Sequence, residues 1–116
     1  MAHPVTWFEV LGQDGDRLRK FYGGLFGWTF TNDSPYGVVD TGVPRGIPGG
    51  VGPVYPGTRS WVTFYVETPD VAASLKQAEQ LGGRTVLPRT VMPEVTLGIF
   101  EDPEGHTIGL IEAKAA

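Results

Sequence analysis

Two strand-like runs carry the side chains best suited to chemistry. In Val5-Thr6-Trp7-Phe8-Glu9-Val10, the residues Val5, Trp7 and Glu9 share one face. In Trp61-Val62-Thr63-Phe64-Tyr65-Val66, that place goes to Trp61, Thr63 and Tyr65, because successive strand residues point to opposite sides of a sheet. A carboxylate beside indoles, a hydroxyl and a phenol fits two kinds of site. The first is a recognition site, in which large aromatic bodies with a few polar tips orient a small aromatic or amphipathic ligand. The second is a metal-independent isomerase or lyase, with Glu9 as general base and Tyr65 donating to an oxyanion. Trp7, Glu9, Trp61, Thr63 and Tyr65 are thus the candidate ligand-binding set, and Glu9 and Tyr65 the candidate catalytic residues if the chain is an enzyme. The plainer alternative gives both tryptophans to a core and Glu9 to solvent or an ion pair, but Glu9 and Tyr65 sit awkwardly in a dry core.

Other chemistries have little to draw on. The 116 residues include no cysteine and two histidines, so thiolate metal sites, disulfides and cysteine nucleophiles are excluded and a Ser-His-Asp arrangement is poorly supplied. The Gly-rich stretch lacks the Gly-Lys-Ser/Thr ending of a phosphate loop. Nine Lys+Arg against thirteen Asp+Glu give a net charge of −4, and no block of positive charge marks a nucleic-acid or membrane surface. Arg45, Arg59, Arg84 and Arg89 read as solvated loop residues. No apolar run approaches the roughly 20 residues that span a bilayer, and the first residues do not resemble a signal peptide. A cytoplasmic domain is expected.

The elements that must position the candidate residues repeat. Each strand-like run is followed by a helical pattern: Leu18, Phe21, Tyr22, Leu25 and Phe26 in the first half, Val71, Leu75, Ala78 and Leu81 in the second. Asp14 or Asp16 can cap the first helix, and Thr68 with Pro69 at the first helical position can open the second. Both helices stop at glycine, Gly27 and Gly82. Strand patterns return at residues 28–31, 36–40 and near Gly50-Val51, then at 84–87, 95–100 and 106–111, with turns at 32–35 and 102–105. Between the halves lies a stretch whose four prolines and many glycines argue against a helix or a central strand. The expected architecture is one α+β domain over residues 1–116: module one at about 5–52, a Gly/Pro-rich linker at about 43–60, and module two at about 61–113. Each module reads βαβββ, and such units must pair sheets to cover their faces. Val62, Phe64 and Val66 are expected to pack beneath the second helix.

The run Asp14-Gly15-Asp16-Arg17…Phe21-Tyr22…Leu25-Phe26-Gly27-Trp28 and the hairpin Phe100-Glu101-Asp102-Pro103-Glu104-Gly105-His106-Thr107-Ile108 resemble the vicinal oxygen chelate superfamily of glyoxalases, bleomycin-resistance proteins and extradiol dioxygenases. The resemblance implies two tandem βαβββ modules forming a cupped, partly open mixed sheet around a central pocket, helices outside, commonly as a homodimer. It also implies four metal-ligand positions, where a divalent cation would polarise vicinal substrate oxygens. Counting seven residues back from the pre-helix position lands on Trp7 and Trp61; the others fall on Gly109 and between Ile47 and Val51. None is a ligand type. Glu112 points away from Gly109's face, His106 belongs to a turn, and His3 precedes the first strand. The resemblance therefore implies a degenerate metal site: no metal, no cofactor, and a small-molecule ligand as partner.

Overall fold

The computed structural model describes residues 2–31, 35–54 and 59–114. Residues 32–34 of the first expected turn and residues 55–58 of the expected linker lie outside them. The fold is α+β, with two βαβββ modules. In chain order these are β1 (Val5–Gly12), α1 (Gly15–Phe26), β2 (Thr29–Thr31), β3 (Gly37–Asp40) and β4 (Gly49–Pro53), then β5 (Trp61–Thr68), α2 (Val71–Gln80), β6 (Arg84–Val91), β7 (Thr96–Glu101) and β8 (Thr107–Glu112). Two compact units carry them, Trp7–Val62 and Met1–Thr6 with Thr63–Ala116.

In the Trp7–Val62 unit the strand order is β2-β3-β4-β1. The first two pairings are antiparallel and β4 runs parallel to β1, placing Phe8 opposite Gly49 and Glu9 opposite Gly50. Strand β4 lies inside the proline-rich stretch and between two neighbours, a place the prolines argued against. It forms because Pro48 precedes it and Pro53 ends it, so the ladder itself falls on Gly49-Gly50-Val51-Gly52, whose N–H groups are all present. Helix α1 starts as expected: the Asp14 carboxylate accepts from the Arg17 N–H at 3.0 Å, and Gly27 ends it with φ 73°. Its apolar stripe is not buried as expected, since Phe21 is 57% and Leu25 60% exposed. At its start Gly15 lets the helix lie close to β4, since a Cβ there would come within 2.7 Å of the Pro53 nitrogen. Part of the stripe joins a ring cluster instead: Tyr22, Phe26 and Trp28 all touch one another, with centroids 5.1–5.9 Å apart, and Phe8 packs 5.7 Å from Trp28.

The second unit repeats the plan, with order β5-β8-β7-β6, β5 parallel to β8 and the other pairs antiparallel. Its core is Val71, Leu75 and Leu110, with Val66 and Phe100 packed against them. Helix α2 begins two residues later than Thr68-Pro69 implied. Asp70 is the cap, accepting from the Ala73 N–H at 3.0 Å, because the Thr68 hydroxyl is buried against Ser74 Oγ at 2.7 Å. Of the β5 residues expected beneath the helix, only Val66 joins this core; Val62 is 75% and Phe64 41% exposed.

Candidate functional site

The unit Trp7–Val62 contains a hydrogen-bonded chain of four side chains centred on Glu9. The Trp7 indole Nε1–H donates to Tyr36 Oη at 2.9 Å, and Tyr36 Oη–H donates to Glu9 Oε2 at 2.9 Å. From the other side, Trp61 Nε1–H donates to Glu9 Oε1 at 3.0 Å. Glu9 is 4% exposed, while Trp7, Tyr36 and Trp61 are half-buried. A carboxylate buried to this degree is tolerated only when hydrogen-bonded, and here each oxygen has a donor.

Local structure explains the convergence. The pleat of β1 puts Trp7 and Glu9 on one face. Opposite Glu9, Gly50 has no side chain, and the Tyr36 ring occupies the vacated volume; a Cβ on Gly50 would lie 2.2 Å from that ring. Tyr36, just before β3, can therefore reach across β4 to Glu9. No sequence motif pointed to Tyr36. The available signal was the run Gly49-Gly50-Val51-Gly52: bare strand positions that make room for rings.

Of the five expected site residues, the structure joins Trp7, Glu9 and Trp61. Thr63 and Tyr65 belong to the other unit and are buried. The Thr63 hydroxyl donates to the Thr107 carbonyl at 2.6 Å. Tyr65, 3% exposed, lies over Gly109, where a Cβ would meet its ring at 2.3 Å.

Beside Trp61, in the same unit, opens a cleft of about 710 Å³, walled by Val10, Leu18, Phe21, Tyr22, Trp61 and Val62 with Asp14 and Arg17 among its lining. Its size and largely apolar walls are those of a small-molecule site. Trp61 is the residue shared by the cleft and the Glu9 chain.

The positions implied for metal ligands do not fit a divalent cation, which needs imidazole or carboxylate donors. With Asp70 as the observed cap, the seven-residue count in the second module lands on Thr63, not Trp61, and threonine's hydroxyl is already committed to a carbonyl. Gly109 and Gly50 offer no donor, and Tyr65 and Tyr36 fill the space a ligand side chain would take. Among the described residues, no three His, Cys, Asp or Glu side chains come together. Glu112 faces elsewhere, as its spacing from Gly109 implied. Arg89 Nε and Nη2 grip its two oxygens at 2.8 and 2.7 Å, and the Val71 N–H donates to it at 3.0 Å. Arg89 is thus a clamp rather than a solvated residue, and Arg84 pairs with Glu101 at 3.0 Å. Arg89's hydrogen bonds, reinforced by the Val71 N–H, hold the Glu112 carboxyl down at about 2. His106 is an exposed turn residue whose Nδ1 lies 2.9 Å from Asp102 Oδ2. Hydrogen bonds from the His106 backbone N–H and ring hold Asp102 below the ordinary carboxylate range. No helix among the described residues is long and apolar enough to cross a membrane.

Residues 8–111 match the model of the glyoxalase-like domain. The anthracycline biosynthesis protein DnrV of Streptomyces peucetius is 30% identical over 121 residues, which cover 86% of this chain and 43% of that protein. The chain therefore spans less than half the length of this curated relative. Among solved structures, a glyoxalase/bleomycin resistance protein/dioxygenase superfamily member from Vibrio splendidus 12B01 superposes with a TM-score of 0.63 at 13% identity, over 96% of this chain and 98% of that one. Methylmalonyl-CoA epimerase from Mycobacterium tuberculosis gives 0.67 at 11% identity, over 96% and 88%. At these identities the structures speak for the fold alone.

Proposed function

The chain belongs to the glyoxalase-like domain family of the vicinal oxygen chelate superfamily, and from that premise we propose that it binds a small aromatic or amphipathic molecule by stacking on Trp7 and Trp61, without a metal. The observation that carries this reading is the chain Trp7–Tyr36–Glu9–Trp61, which ties both indoles to one buried carboxylate. With their N–H groups committed inward, the indoles offer a ligand their ring surfaces. Locking them before binding spares the ordering cost that a loose aromatic would incur on contact. The cleft beside Trp61 provides room for such a ring.

A metal-independent isomerase or lyase using Glu9 is the weaker reading. Glu9 is 4% exposed and both its oxygens are engaged by Tyr36 and Trp61, so a substrate proton has little access to it. The test is a panel of planar aromatics read by tryptophan fluorescence. Saturable quenching that is lost in Trp7→Ala and in Trp61→Ala supports stacking; variants that bind as well as the parent refute it. Turnover of any panel compound that disappears in Glu9→Gln while binding persists would move the protein to the enzyme reading.

A further inference from the structure

Resting on that binding reading, we infer that the site selects by charge: it prefers a planar aromatic cation to the neutral ring of the same shape. Three hydrogen bonds of the chain point toward Glu9: Trp7 donates to Tyr36, Tyr36 donates to one carboxylate oxygen, and Trp61 donates to the other. A donor bonded to an anion is polarised, and bonds in series polarise one another. The consequence for an indole is a ring richer in electrons, and the face of tryptophan is already the best aromatic partner for a cation. Trp61 is bonded directly to the carboxylate and Trp7 through one phenol, so both rings gain negative character from the same group.

The walls of the cleft agree. Trp61, Phe21 and Tyr22 contribute aromatic rings, and the two ionised side chains in the lining, Asp14 and Arg17, carry opposite charges. A bound cation therefore meets no net positive charge there, and the chain as a whole carries −4. The commitment of both indole N–H groups also removes the usual means by which tryptophan recognises an anion or a carbonyl oxygen. Aromatic faces backed by a carboxylate attract a quaternary or protonated ring nitrogen and repel a carboxylate or sulfonate on the same ring.

The experiment uses three probes of one shape and size: 1-methylquinolinium, neutral 1-methylnaphthalene and the anion 1-naphthoate, each measured by equilibrium dialysis against the intact protein. The expected order is cation, then neutral, then anion, with the cation about tenfold tighter than the neutral ring. In Glu9→Gln the ratio of cation to neutral-ring affinity shrinks to threefold or less. Because loss of Glu9 can perturb folding, the ranking by the unaltered protein in 0.05 and 0.5 M NaCl decides the matter independently: with Glu9 buried, the cation's advantage persists at high salt, and an advantage that vanishes there comes from surface charge and overturns the inference. Equal binding of cation and neutral ring, or tighter binding of the anion, overturns charge selection and leaves stacking standing. Failure of all three probes to bind overturns both.

Discussion

Removing one oxygen atom, in Tyr36→Phe, tests the Glu9 chain most sharply. The hydroxyl accepts from Trp7 at 2.9 Å and donates to Glu9 at 2.9 Å, so the substitution breaks two hydrogen bonds and keeps the ring that fills the space over Gly50. A hydrogen bond to a charged group contributes about 1.5–3 kcal/mol and a neutral one about 1 kcal/mol. Water can reach the half-buried indole more readily than the buried carboxylate, which puts the expected loss at about 2–3 kcal/mol. A chain of this size loses about 4 °C of melting temperature per kcal/mol, so the midpoint should fall by about 10 °C. Urea unfolding of four proteins (the parent, Tyr36→Phe, Trp7→Phe and the double variant) separates the terms, because Trp7→Phe should cost about 1 kcal/mol less once the hydroxyl is gone. A Tyr36→Phe protein within 0.5 kcal/mol of the parent, at unchanged denaturant dependence, would refute the claim that the phenol links Trp7 to Glu9.

Three further outcomes are expected. Gly50→Ala and Gly109→Ala each force a Cβ into a tyrosine ring, at 2.2 and 2.3 Å; each should destabilise by about 1–3 kcal/mol in urea unfolding, and Gly50→Ala should also weaken ligand binding. Glu112 is held at about 2 in the folded chain by Arg89 and the Val71 N–H, against an ordinary value of about 4.3. Its contribution is therefore complete above the unfolded value and is lost as pH falls from about 4.5 to 2. Arg89→Ala should shift acid unfolding, followed by circular dichroism, to higher pH, and an unmoved midpoint counts against the clamp. Val71→Ala, at a fully buried position, should cost about 1–3 kcal/mol, whereas Val62→Ala, 75% exposed, should stay within about 0.5 kcal/mol. Comparable losses at both sites would contradict the burial described.

The order of elements was legible because it depends on local periodicity: both helices and the strands of both modules follow from spacing and from stop signals such as Gly27 and Gly82. The start of α2 was not, because Thr68 and Asp70 are both good caps and the choice was made by Ser74, which takes the Thr68 hydroxyl. The α1 stripe is only partly buried because an amphipathic pattern says which residues share a face, not how much of that face a partner covers. In the site, face alternation brought Trp7 and Glu9 together correctly. Tyr36 stayed invisible because its partners are 29 and 27 positions away and its place is defined by an absent side chain, at Gly50. Thr63 and Tyr65 share a face with Trp61 as alternation requires, but their burial depends on β8, which the pattern of β5 alone cannot report.

Nuclear magnetic resonance of the three indole N–H groups, in ¹⁵N-labelled protein titrated with a planar aromatic, tests the stacking claim most directly. Trp28 lies in the ring cluster of α1, outside the Glu9 chain, and serves as the internal reference. If both indoles grip the ligand, the Trp7 and Trp61 signals move together with one dissociation constant, and by more than that of Trp28, which meets the cleft only through Tyr22. Stationary Trp7 and Trp61 signals beside demonstrable binding would contradict it.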